Sequence, residues 1–271
     1  MAVEALQAAA SGMNALSTKI DVLANNLANV NTTGFKASRV NFEDLLYQQK
    51  IQPGVENDEG ARNPGLLQVG LGVRASNTQF DFEIGSPQLT NRDTDMYIQG
   101  DGFFRVNLGD DRSPDGMAYT RAGNFFVNRD GDLTFGSTTG PLVDPPINVG
   151  DSNERTGITV SPEGIVSIVE PDGQIQAVGQ IELANFVNPN GLMSIGGNLY
   201  LESDVSGPPI DGEPNTESFG GILEKHLESS NVDPVTELVT LIRTQRAFEL
   251  NSQTIQAADE TLRTVSNLRR F

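Results

Sequence analysis

The sequence predicts an α+β subunit with long N- and C-terminal helices paired as a coiled coil and a β-rich middle domain. Two seven-residue apolar repeats, one at each end of the chain, and a change to period two between them carry that reading. From Ala2 to Val30, Leu6, Met13, Ile20 and Leu27 form one column and Ala9, Leu16, Leu23 and Val30 a second. This is an a/d seam, on a helix that would reach roughly 43 Å at about 1.5 Å per residue. Gly12 inside it costs about 1 kcal/mol of helix propensity relative to Ala. The competing reading is an N-terminal helix packed only on its own domain.

Near the other end, Leu241, Phe248, Ile255 and Leu262 again stand seven apart, flanked by Leu238, Ile242, Ala258, Val265 and Leu268. Asp233 followed by Pro234 supplies an N-cap and a residue pre-set for a first helical turn, and Arg263, Arg269 and Arg270 sit where cations favour the helix dipole. A polar column, Gln245, Ser252, Asp259 and Ser266, makes this seam a poor homodimeric coiled coil by itself. The N-terminal helix is the partner at hand.

Between the helices, Phe80-Asp81-Phe82, Phe103 to Val106 and Ile165 to Val169 read as strands bounded by Gly, Pro, Asp or Asn. Asn124 to Phe135 reads as a hairpin turning at Asp130-Gly131, and Pro162-Glu163-Gly164 marks another turn. Gln48 to Gly65 lacks a sustained period and reads as a long extended loop. The expected division is a helical coiled-coil domain from 1–46 and 224–271, an extended loop or insertion segment over 47–76, and a β-rich outer domain over 77–223.

The formal charge of −18 argues against nucleic acid and anionic membrane surfaces, because both demand clustered basic residues. With no cysteine there is neither a disulfide framework nor a thiolate metal site. Glu4 stands where a secretory signal would be basic, and Gln7 interrupts the apolar stretch, so no cleaved signal peptide is expected. No stretch of about 18 apolar residues suggests a membrane-spanning helix.

Candidate chemistry is thin. Gly70-Leu71-Gly72-Val73-Arg74-Ala75 resembles a dinucleotide fingerprint but runs on into alternating strand where that motif needs a helix. Asn128 to Asp132 has the wrong spacing for a calcium loop, and Asp93 with Asp95 reads as exposed turn acids. The one histidine, His226, lacks companions for a metal site or nucleophile relay. No catalytic, metal or cofactor residues are expected, and the chain reads as a non-enzyme.

Ala24 to Lys36, with Asn25, Asn26, Asn29, Gly34, Phe35 and Lys36, resembles the signature of bacterial flagellar rod and hook axial proteins. Physically, the Asn side chains are expected to lie off the seam and bond neighbours, and Gly34 to allow the φ > 0 that ends the helix. Ser230 to Asp233, Glu237 to Val239 and Thr244 to Asn251 are similar to the closing helix of that family. The resemblance implies paired terminal helices lining a tube, β domains in its wall, self-assembly into a helical homopolymer, and contacts with proximal rod, hook and basal-body ring proteins. It also implies passage through the flagellar type III export apparatus and a place in the basal body spanning the periplasm. Phe42 to Gln48 followed by Gln52-Pro53-Gly54 is similar to the distal-rod branch, whose insertion falls after Tyr47. Phe42 and Leu46 resemble the element through which early substrates engage the export gate, although at helical i,i+4 spacing they would pack together in any case. Hook and proximal-rod members of the same family are the nearest alternative. A periplasmic binding or carbohydrate-active β protein is the alternative of another class.

Overall fold

A computed structural model of the chain describes residues 2–51, 65–109, 116–150, 156–216 and 218–268. Its fold is α+β, and its contacts separate two compact units. The first comprises residues 1–28, 38–80 and 233–271, and the second residues 29–37 and 81–232.

The first unit holds both long helices, α1 (Ala2–Ala28) and α2 (Pro234–Leu268). α2 begins as the sequence predicts: Asp233 accepts the Val235 N–H through Oδ1 at 3.0 Å and the Thr236 hydroxyl through Oδ2 at 2.5 Å, which satisfies first-turn groups. Arg263 pairs with Asp259 one turn back. Arg269 and Arg270 lie outside the described residues. α1 packs against α2, and also against β1 (Ser38–Asp44) and β4 (Val73–Phe80), which pair antiparallel. A second hairpin joins β2 (Tyr47–Ile51) to β3 (Leu67–Gly70).

Two expectations change here. The ends of the segment read as a loop are strands, because Tyr47, Gln48, Gln49 and Ile51 find backbone partners in Leu67 to Gly70 that no local period announces. Most of the expected insertion, residues 52–64, lies outside the described residues. Phe42 sits in the strand β1, so helical spacing between Phe42 and Leu46 does not apply.

In the second unit an antiparallel sheet runs through Met193–Gly196, Leu199–Leu201, Met117–Thr120, Phe103–Asn107, Leu142–Val143, Leu133–Phe135 and Phe125–Val127. Leu183–Asn185 adds to Phe103–Asn107 and carries Ile210–Gly212 on its other side. Gly157–Val160, Ile165–Val169 and Ile175–Gln180 form a three-stranded sheet. The turn at Asp130-Gly131 is where the sequence puts it, with Gly131 at φ +88° and Phe125–Val127 facing Leu133–Phe135. Met96, Ile98, Phe104, Val106, Phe125, Leu133, Ile181 and Leu183 are buried in the main core. Each such side chain contributes roughly 1.5–3 kcal/mol on burial, so this unit carries a conventional apolar interior.

Candidate functional site

The helix pair buries small and polar residues beside a stripe of larger apolar ones. On α1 the most deeply buried positions are Ala9, Gly12, Ala15, Leu23 and Asn26. Leu6, Met13, Leu16, Ile20 and Leu27 are half-buried beside them. Val30 lies beyond the helix end, in the turn that follows Ala28. On α2 the less exposed face is Glu237, Leu241, Thr244, Phe248, Asn251, Ile255 and Ala258, recurring in steps of four and three. Leu262 is already exposed. The inward polar column is therefore Glu237, Thr244 and Asn251, whereas Gln245 and Asp259 of the expected column face solvent. A Cβ at Gly12 would stand 3.0 Å from the Asn251 amide nitrogen, so the absence of a side chain lets the helices approach closely.

Asn26 hydrogen-bonds neighbours, as expected of the signature asparagines, but from a buried position rather than off the seam. It is 1% exposed, accepts the Ser38 N–H at 3.0 Å and donates to the Ser38 carbonyl at 2.8 Å, satisfying the first residue of β1 as a strand partner would. Its amide also hydrogen-bonds Glu237. Burial, the largest influence on Glu237, holds that carboxyl above the ordinary range; Asn26 and Lys19 pull it down and Asp233 pushes it up. Asn25 is exposed and Asn29 half-buried.

Gly72, from the run that resembles a dinucleotide loop, has a packing role in this unit. Gly72, at φ +121°, leaves room for Ser11 of α1, whose hydroxyl oxygen would lie 2.1 Å from a Cβ there and accepts the Val73 N–H at 3.2 Å. Phe42 borders an apolar cavity of about 270 Å³ with Gly12, Leu16 and Val73, and Leu46 is 83% exposed. Val235, Leu238, Val239 and Ile242, on the first turns of α2, are exposed as well.

In the second unit, the end of the signature is a buried ionic knot. Lys36 donates to Glu228 Oε1 at 2.7 Å and to the Glu83 carbonyl at 2.6 Å, with both charged side chains 1% exposed. Glu228 also accepts from the Gly85 N–H at 2.8 Å and from Arg121 Nε at 3.1 Å. Burial is the main force lowering the Lys36 pKa, opposed by the Glu228 carboxylate and reinforced by Arg121. Gly34 does not terminate α1, which ends at Ala28. It sits at φ +69°, donates its N–H to the Glu228 carbonyl, and a Cβ there would meet the Ala122 backbone at 2.7 Å. Phe35 is half-buried beside it in sequence. Residue type alone marks Lys36; only the fold discloses a partner 192 positions away.

The other candidates fall out as local structure. His226 Nδ1 is 2.7 Å from the Glu224 carbonyl, and both Asp132 carboxylate oxygens accept side-chain amides, from Asn128 and Asn148. Asp93 lies 3.5 Å from the Lys225 ammonium, while Asp95, expected as an exposed turn acid, is buried.

The sequence matches three family descriptions: "Flagella basal body rod protein" over residues 6–36, "Flagellar hook protein FlgE/F/G D1 domain" over 97–168, and "Flagellar basal body rod FlgEFG protein C-terminal" over 223–268. It is 43% identical over 270 residues to the flagellar basal-body rod protein FlgG of Borreliella burgdorferi, covering 99% of each chain. The chain belongs to the flagellar basal-body rod protein family. The rod protein FlgG of Caulobacter vibrioides is also 43% identical, covering 98% of this chain and all of the other. That of Bacillus subtilis is 37% identical at 99% and 100% coverage. The rod family is structural rather than catalytic, which sets aside the reading as a carbohydrate-active protein. The signature match ends at Lys36 and the C-terminal match opens at Leu223, so the two partners of the buried ion pair lie inside the two terminal rod-family segments.

Proposed function

We propose that the chain is the distal-rod subunit of the flagellar basal body, polymerising into a rigid hollow helical tube that transmits motor torque to the hook. The observation that carries this reading is end-to-end similarity to proteins named as the basal-body rod protein FlgG. Two physical features support it. Small or polar residues, among them Gly12, Asn26 and Thr244, are buried on α1 and α2, while Val235, Leu238, Val239 and Ile242 stay exposed. Such helices gain their remaining stability by packing as a coiled coil among copies of the chain, since ordering each residue costs about 1–2 kcal/mol.

On this reading the partners are further copies, proximal rod and hook proteins, the surrounding rings, and the type III export apparatus that delivers the chain across the periplasm without a cleaved signal. Phe42 and Leu46 serve at the export gate. Polymerisation of a Leu16→Asp, Leu23→Asp double variant is the test: assembly seen by electron microscopy should be abolished while the second unit keeps its near-ultraviolet circular dichroism. Normal filaments from that variant would overturn the proposal. Removing residues 48–65 should convert straight polymers toward curved ones, and an unchanged straight product would argue for another axial member of the family.

A further inference from the structure

The first unit keeps an apolar cavity of about 270 Å³ where α1, α2, β1 and β4 meet. Gly12, Ala15 and Leu16 line it from α1, Phe42 and Val73 from the strands, and Asn251 from α2. Two of the three residues that α1 presents here are the smallest available, so little side-chain volume enters from that side. A dry apolar cavity of about 150 Å³ already takes a benzene-sized guest, and this one has room for the ends of one or two aliphatic side chains.

Nearer its N-terminus, α2 displays the complementary shape. Val235, Leu238, Val239 and Ile242 recur at i, i+3, i+4 and i+7, and all four are exposed. With that spacing a helix lays an apolar ridge into a groove. The ridge cannot serve the cavity of its own chain: Asn251 stands nine residues beyond Ile242 and sixteen beyond Val235 on the same helix, about 14–24 Å at about 1.5 Å per residue. Charge favours a second copy as the source. The segments of the first unit carry 12 acidic and 10 basic residues, against 24 and 8 in the second, so copies can bring their first units together with little net repulsion.

We propose that the ridge over residues 235–242 of one copy seats in this cavity of the next, so that each copy gives a ridge to one neighbour and takes a ridge from another. The inference rests on the polymer reading above and names a contact within it. Ridge and cavity are different patches of one chain, and a head-to-tail contact of that kind that does not close into a ring continues as an open helical filament.

The chain has no cysteine, so introduced thiols report alone. The full-length chain carrying Ala15→Cys in the cavity wall and Leu238→Cys on the ridge is polymerised, oxidised and run on a non-reducing gel. A ladder of dimers, trimers and longer covalent species is expected, because every copy offers its two thiols to different neighbours. Bands that stop at the dimer would reveal a closed reciprocal pair, and crosslinking of Leu238→Cys alone would reveal ridges that meet one another; either overturns the proposal. A disulfide needs Cα atoms about 4.4–6.8 Å apart, so Val235→Cys, Val239→Cys and Ile242→Cys are each combined with Ala15→Cys in the same way. Polymers that crosslink at none of the four positions also overturn it. Leu238→Ala, at a position exposed in the single copy, should raise the concentration needed for polymerisation about ten-fold without changing the helical circular dichroism of the unpolymerised chain. An unchanged threshold counts against the ridge. Failure of the unsubstituted chain to polymerise would strike the rod-subunit reading itself, whereas polymers without these crosslinks strike only this contact.

Discussion

The two units of this chain are stabilised by opposite means. The second encloses large apolar side chains, among them Met96, Ile98, Phe104 and Leu133, and also buries an ionic knot of Lys36, Arg121 and Glu228. In the first, the most buried helix positions are Ala9, Gly12, Ala15, Leu23, Asn26 and Thr244, and the large aliphatic residues Val235, Leu238, Val239 and Ile242 of α2 remain exposed. Burial of apolar area contributes roughly 25 cal/mol per Å², so the first unit has much less to draw on for its length. A unit with a conventional apolar interior and a unit that leaves large aliphatic residues exposed thus share one chain.

The largest expected effect breaks the comparison from the side of the second unit. Glu228→Leu leaves Lys36 and Arg121 buried without their shared carboxylate, and should cost about 3–5 kcal/mol in denaturant unfolding. Replacing all three together, Lys36→Met, Arg121→Met and Glu228→Leu, should recover most of that loss. If the single and triple variants are equally unstable, packing rather than charge pairing governs the site.

Gly12→Leu tests the other side. A side chain there must displace Asn251, forcing α1 and α2 apart at a cost of about 1–3 kcal/mol. Helical signal and assembly should both fall while unfolding of the second unit is unchanged; a variant that assembles normally would show that close approach at this point is dispensable.

The smallest effect concerns pH. Burial raises the Glu237 carboxyl, so the paired helices bind its proton more readily than the unfolded chain does. Its contribution is therefore favourable at low pH and is lost as pH rises from the ordinary carboxylate range through the raised value. Asp233 is held low, mainly by the Thr236 hydroxyl and then the Val235 N–H, and works in the opposite sense: its contribution is present above its ordinary range and lost as pH falls through the lowered one. Glu237→Gln should make the helices modestly more stable near neutral pH and remove the decline on the alkaline side, as read by circular dichroism melts across pH 3–8, about the range in which carboxylates titrate. An unchanged pH profile would place Glu237 in solvent.

The two long helices, the Asp233 cap and the Asp130-Gly131 turn rest on local patterns, and each appears where the sequence puts it, whereas of the seven-residue columns Val30 lies past the end of α1 and Leu262 in solvent. The contact face of the helices was harder to read. Leu, Ile and Met announce a stripe by their chemistry, whereas Gly12, Asn26 and Thr244 are recognisable as contact residues only when a second backbone is close enough to need their small size or their hydrogen bonds. Strands Tyr47–Ile51 and Leu67–Gly70 are hidden from the sequence for a related reason: Tyr47 to Lys50 are exposed and the run Gln48-Gln49-Lys50 is polar throughout, so no sustained alternation marks the pair.

The sequence by itself determined the α+β class, both long helices and membership of an axial flagellar family, because these rest on periodicity and on runs of residue identity. Tertiary structure alone decided why the signature contains those residues. Asn26 completes a strand end, Gly34 makes way for Ala122, and Lys36 finds its counter-charge in Glu228. Each requirement arises from an atom brought close by folding across a long stretch of chain, and local spacing carries no trace of such a neighbour.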